Sequence, residues 1–135
     1  SGNLGKKLSL KLNNLIDHKR IPAVNLSSTF FEIIDEISSN MYGATAVIDS
    51  KKIIGIITDG DIRRIIEKKP KIDEVLSSDL MNKNPKVLCE DTLAFDALGL
   101  MKQSNISQVL VTNDKQEYIG VVHILDIIKQ GISYE

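Results

Sequence analysis

Apolar positions along this chain follow two rhythms, a helical one and a strand-like one, and the same order of rhythms occurs twice. After Pro22 a short extended piece is expected, because proline disfavours helix around itself. Thr29 precedes Glu32 by three residues, the spacing of a capping box. Phe30, Ile33, Ile34 and Ile37 then recur at i, i+3, i+4 and i+7, which predicts an amphipathic helix with Glu32, Asp35 and Glu36 on its wet side. "ATAVID" (44–49) and "KIIGIIT" (52–58) are β-rich runs joined by a polar turn, a predicted hairpin. A last helix follows and stops near Pro70. The second half repeats this. An extended piece follows Pro85, and a helix uses Leu93, Ala97, Leu100 and Met101. "SQVLVTND" and "EYIGVVH" form a hairpin, and a final helix reaches Gly131 with Lys129 in its last turn.

The two halves align in three blocks. "NNLIDHKRIPAV" (13–24) matches "SDLMNKNPKV" (78–87), and "SSTFFEIIDEISS" (27–39) matches "EDTLAFDALGLMK" (90–102) on Thr29 and Thr92. "IIGIITDGDIRRII" (53–66) matches "YIGVVHILDIIKQG" (118–131), so that Gly55 pairs with Gly120, Asp61 with Asp126 and Ile62 with Ile127, each 65 positions apart. The expected fold is α/β (α+β): two βαββα repeats, one over 12–70 and one over 71–135. Neither half buries much core alone at about 60 residues. They are therefore expected to pack sheet to sheet about a pseudo-two-fold axis, with a cleft between them.

Composition narrows the function. The formal charge of −1 gives no pull toward nucleic acid or membrane, and aromatic residues are only 4% of the chain, so isoleucine and leucine must fill the interior. The single cysteine, Cys89, excludes an internal disulfide and fits a reducing, cytoplasmic setting. No apolar run approaches the roughly 20 residues that span a bilayer, and no signal-peptide core is visible.

The candidate chemistry lies where each hairpin runs into its last helix. In "GIITDGDIRR" (55–64) a strand ends at a helix start, where free backbone N–H groups favour anions. Thr58 can donate a hydroxyl to a phosphate. An ionised Asp61 only accepts, so it suits sugar hydroxyls. Gly60 tolerates backbone angles that other residues do not. The plainer reading is that Asp59 or Asp61 simply caps the helix. Arg63 or Arg64 could reach a ligand phosphate or an acidic neighbour, or lie solvated on the helix surface. In the second copy His123 stands in place of Thr58 while Asp126 keeps the acid. His123 could donate to a phosphate in a pH-sensitive way, or pack at the rim against a backbone carbonyl. By repeat alignment the opposite wall of one site takes Ala23, Val24, Asn25, Ala44 and Thr45. The other takes Lys86, Val87, Ser107 and Gln108.

Groups for catalysis are few. His18 and His123 lie in different repeats, Cys89 has no nearby base, and no nucleophile triad, metal-ligand spacing or phosphate-binding glycine loop occurs. Asp59 and Asp61 alone make a thin Mg²⁺ site. No cofactor is required and no metal site is expected.

On the doubled apolar-Gly-apolar-apolar-x-x-x-Asp pattern, residues 12–132 resemble a tandem pair of CBS domains, a Bateman module. "SGNLGKKL" (1–8), "GIITDGDIRR" and "GVVHILD" (120–126) also resemble the C-terminal part of the arabinose-5-phosphate isomerase family of sugar-phosphate isomerases. In that family a sugar-isomerase (SIS) domain carries the chemistry, interconverting ribulose 5-phosphate and arabinose 5-phosphate for lipopolysaccharide or capsule synthesis. The resemblance implies that residues 1–11 lead out of such a domain and that this chain is not itself an enzyme. It implies an adenosine-type ligand held by the Thr and Asp of the corner, with the base against the extended piece after Pro22. A histidine at 123 is what the isomerase branch usually shows. The effector implied is AMP or ATP, or a CMP-activated 3-deoxy-manno-octulosonate. The implied partners are the SIS domain in cis and a second copy through the CBS helices, with Ile65, Ile66, Ile127 and Ile128 at the interface in a purely structural alternative.

Overall fold

The computed structural model describes residues 2–133, with side chains from Leu4 onward; Ser1 and positions 134–135 of the second repeat lie outside the described residues. In chain order the elements begin with helix α1 (Gly2–Ser9), a 3₁₀ turn (Leu12–Asn14), strand β1 (Ala23–Val24) and α2 (Phe30–Asn40). The hairpin β2 (Ala44–Asp49) and β3 (Lys52–Thr58) follows, then α3 (Asp59–Glu67), a second 3₁₀ turn (Ile72–Glu74) and α4 (Ser77–Leu80). The second repeat holds β4 (Val87–Cys89), α5 (Ala94–Ser104), β5 (Gln108–Thr112), β6 (Tyr118–His123) and α6 (Ile124–Ile128). Each repeat builds a three-stranded sheet with the middle strand paired parallel on one side and antiparallel on the other, in the orders β1-β2-β3 and β4-β5-β6.

The chain forms two compact units. One is Arg20–Pro85; the other joins the residues up to Lys19 to the chain from Lys86 onward. In the first, α2 starts as its sequence predicts: the Thr29 hydroxyl accepts the Glu32 N–H at 3.3 Å, and the Glu32 carboxylate accepts the Thr29 N–H at 2.9 Å. The helix closes at Met41 in the left-handed region (φ 63°), while the Arg20 guanidinium donates to the Asn40 carbonyl and lies over the Tyr42 ring. A cation at a helix C-terminus also suits the helix dipole. Phe30, Ile33 and Ile37 of α2 pack with Val24, Val47, Ile57, Val75 and Leu80. The hairpin turns through Ser50 and Lys51, both at positive φ, the geometry that matches strand twist.

In the second unit the core is Leu12, Ile16, Ala94, Ala97, Leu98, Met101, Val109, Val111, Val122, Ile127 and Ile132. Here α5 departs from expectation. Leu93 is its N-cap and Leu100 is only half-buried, whereas Leu98 is fully buried. The reason is a bridge to the beginning of the chain: Leu12 N–H donates to Thr92 O at 2.9 Å, and Ala94 N–H donates to Leu10 O at 2.7 Å. That bridge holds Leu93 extended, as the bridge to Leu76 holds Thr29, so Leu93 and not Thr92 takes the place of Thr29. The helix therefore starts at Ala94 and turns the 94/97/98/101 face inward. The helix expected to reach Gly131 ends at Ile128, with Lys129 as its cap and a turn closing at Gly131 (φ 80°).

Both units borrow their lead-in segment from the neighbouring repeat. Thr29 is bridged to Leu76 just as Leu93 is bridged to Lys11, and Ile56 exchanges both backbone hydrogen bonds with Asn82. The repeat-equivalent glycines make room for these segments. A Cβ on Gly55 would stand 2.8 Å from Met81 Sδ and 3.0 Å from Asn82 O, and one on Gly120 would stand 2.8 Å from Ile16 Cγ2. The leader expected over residues 1–11 is helical over α1. Lys6 Nζ donates to Gln130 O at 2.9 Å, and Lys7 lies over the Phe95 ring.

Candidate functional site

One end of each sheet carries the strand-to-helix corner singled out from the sequence. In the first unit, Ala44 lies opposite Thr58 in register, Asp59 N–H donates to Gly43 O at 3.0 Å, and Pro22 O accepts the Ala46 N–H. The span from β1 to β3 is two strand spacings, about 10 Å. The second unit reproduces each link. Gln108 lies opposite His123, Ile124 N–H donates to Ser107 O at 2.8 Å, and Lys86 O accepts the Leu110 N–H.

At the first corner Thr58 is the N-cap of α3. Its hydroxyl oxygen accepts the Asp61 N–H at 3.4 Å. Asp61 Oδ2 accepts the Thr58 N–H at 2.8 Å and the Thr58 hydroxyl at 3.1 Å, a reciprocal capping box. Asp61 Oδ1 accepts a charge-assisted bond from Arg64 Nη2 at 2.6 Å. The capping role weighed for Asp61 is therefore present, and the first turn also carries exposed Asp59 at its dipole-favoured end. Of the paired arginines, Arg64 reaches Asp61, one helical turn away. Arg63 is exposed, and its guanidinium makes no hydrogen bond or ion pair among the described residues. The signal for Arg64 was legible as an i,i+3 acid–base spacing.

At the second corner His123 caps α6. Its Nδ1 accepts the Leu125 N–H at 3.1 Å, and Asp126 Oδ2 accepts the His123 N–H at 2.9 Å. A ring that accepts at Nδ1 carries its proton on Nε2, so its remaining donor is that N–H. The expected alternative of a ring bonded to a backbone carbonyl is replaced by this backbone N–H bond.

The wall residues divide. Val24 and Thr45 are buried on the helix side of their sheet. Val24 belongs to the core cluster, and the Thr45 hydroxyl donates to Ala46 O at 3.1 Å. Asn25 lies at the far end of β1, accepting the Ser27 N–H. Val87 is exposed at the start of β4, and Gln108 is half-buried beside His123. Of the four isoleucines considered for an interface, Ile127 is fully buried and is a core residue. Ile65 packs partly against the first core, and Ile66 and Ile128 are exposed.

Beside Asp61 a groove of about 480 Å³ opens between α3 and α4, lined by Asp61, Arg64, Ile65, Lys68, Asp79 and Leu80 with Glu67. Elsewhere the Thr92 hydroxyl beside the exposed Cys89 lowers that thiol's pKa, and the Thr29 N–H and hydroxyl lower that of Glu32. Among the described residues no His/Cys/Asp/Glu group could hold a metal, and no helix is long and apolar enough to cross a membrane.

Comparison with known proteins places this geometry. The CBS domain pattern matches residues 15–68 and 77–132. The chain is 35% identical over 126 residues to arabinose 5-phosphate isomerase KpsF of Escherichia coli, covering 93% of this chain and 38% of that protein. It thus spans about two fifths of the length of the curated relatives it matches. Among solved structures, a CBS domain protein of Pyrobaculum aerophilum complexed with AMP superimposes with a TM-score of 0.78 at 21% identity, covering 87% of this chain and 89% of that one. The CBS domain pair of protein MJ0100, in complex with 5′-methylthioadenosine and S-adenosylmethionine, gives 0.78 at 21% identity, covering 90% and 94%. Two sheets of like topology, two like corners and two pattern matches lead to one assignment: the chain belongs to the CBS domain family, as a tandem pair related to arabinose-5-phosphate isomerases.

Proposed function

We propose that this chain is a regulatory module that binds a nucleotide or nucleotide sugar and adjusts a sugar-phosphate isomerase activity carried elsewhere in a longer polypeptide. The observation that carries the reading is the repetition of one corner: an acid three residues past the cap at the end of β3 and again at the end of β6. The acid suits sugar hydroxyls, and the His123 Nε2–H, or the Thr58 hydroxyl once turned away from Asp61 Oδ2, suits a phosphate. Two of the solved neighbours were captured with AMP, or with 5′-methylthioadenosine and S-adenosylmethionine, ligands that share an adenosine group. The kinship with the isomerases adds a CMP-activated sugar acid to the ligands worth testing.

Thermal unfolding against AMP, ATP and CMP-activated 3-deoxy-manno-octulosonate tests the reading. A ligand that binds only the folded chain stabilises it by about 2.7 kcal/mol at a hundred times its Kd. Asp61→Asn and Asp126→Asn keep an acceptor for the cap but remove the charge, and each is expected to diminish the shift. No shift for any ligand at millimolar concentration refutes the reading.

A structural role in assembly is favoured by a separate observation: Ile66, Leu125 and Ile128 expose 51%, 52% and 46% of their surfaces on α3 and α6. Light scattering with and without AMP separates assembly from sensing.

A further inference from the structure

The ion pair at the first corner bears on which ligands the corner accepts, and the inference from it rests on the nucleotide reading above. Asp61 Oδ2 is already engaged by the Thr58 N–H and hydroxyl, so Oδ1 is the oxygen with more capacity left for a sugar hydroxyl. That oxygen is held by Arg64. The two side chains differ in freedom: Asp61 is 18% exposed and fixed by the capping box, whereas Arg64 is 65% exposed and held at its tip by this one bond. Gly60 leaves the guanidinium its place, since a Cβ there would stand 3.2 Å from Nη1. The same side chain lines the groove of about 480 Å³, where Lys68 adds a second cation one turn further along.

We propose that Arg64 selects phosphorylated nucleosides by exchanging its bond to Asp61 for one to the ligand phosphate, so that the sugar hydroxyls take its place on Oδ1. A bare nucleoside must displace the guanidinium and leaves it without a partner. A nucleotide offers the planar fork a phosphate with which it pairs bidentately. The exchange moves only one exposed side chain.

Calorimetric titration of the chain with AMP and with adenosine tests this, in the wild type, Arg64→Gln and Arg64→Lys. The wild type is expected to prefer AMP. In Arg64→Gln, AMP should weaken by about tenfold to a hundredfold, the worth of one charge-assisted hydrogen bond. Adenosine should bind as well as before or a few-fold tighter, because Oδ1 is freed. Arg64→Lys, which keeps the charge but not the fork, should fall between. The diagnostic quantity is the AMP-to-adenosine preference, which a purely structural role for Arg64 would leave unchanged. An equal loss for both ligands, or an unchanged preference, overturns the proposal and leaves the nucleotide reading intact. Failure of the wild type to bind either ligand overturns the proposal, and the nucleotide reading falls with it only if ATP and the CMP-activated sugar acid also give no thermal shift.

Discussion

Gly120 and Gly55 show how much a single missing Cβ decides. At Gly120 the backbone has φ +155°, and an added Cβ would fall 2.8 Å from Ile16 Cγ2. Gly120→Ala is therefore expected to cost about 1–3 kcal/mol by overpacking, read from urea unfolding. Coupling it with Ile16→Ala should return part of that loss, so the two changes should not add. Strict additivity would show that the clash is not what makes the glycine necessary. The repeat alignment marked Gly55 and Gly120 as partners, but what fills the space above each is set by long-range packing. Ile16 and Met81 are themselves 65 positions apart, so the alignment shows all four residues but not that each of these side chains covers a glycine. At the candidate site, Thr58, Asp61, His123 and Asp126 were legible because strand-to-helix chemistry is local. Thr45 and Val24 were placed only by alignment, and burial on the helix side of the sheet is what local pattern does not show.

Among the elements, α2 was legible in full because its capping box and its apolar period agree. Thr29→Ala removes the cap and should cost about 1 kcal/mol. The acid response follows from Glu32, whose pKa is lowered in the folded chain by the Thr29 N–H and hydroxyl. A depressed carboxylate contributes stability above its unfolded pKa and loses it as pH falls through the folded value. The difference in stability between wild type and Thr29→Ala should accordingly narrow as the solution is made more acidic, measured by unfolding at a series of pH values. A difference that stays constant would mean that the Thr29 hydroxyl plays no part in lowering the Glu32 pKa, which would then rest on the Thr29 N–H. The equivalent α5 misled because Thr92, aligned with Thr29 in sequence, lies one residue before the cap, Leu93, and has other partners. Its carbonyl accepts from Leu12, and its hydroxyl lies 3.5 Å from Cys89 Sγ. Both helices begin one residue after a bridged residue, Thr29 or Leu93, so the residue that stands where Thr29 does is Leu93, whose side chain cannot cap.

For the molecule as a whole, repeat boundaries in sequence and compact units in space do not coincide, because each repeat's lead-in segment packs in the other unit. Leu12, near the start of the chain, is fully buried with Leu98, Met101 and Ile127 of the second repeat. Leu12→Ala should cost about 2–5 kcal/mol. A shortened chain beginning at Arg20 should leave the unit of the second repeat loosely packed, with its amide protons exchanging fast, while the first unit keeps its protection. Retained protection throughout would show that the early segment is dispensable. The exchange of segments also orders events during synthesis. The unit spanning Arg20–Pro85 is continuous and has all its parts once Pro85 has left the ribosome. The other must hold residues as early as Leu12 in waiting until Ile132 emerges, so a segment made before the Arg20–Pro85 unit finds its place after it.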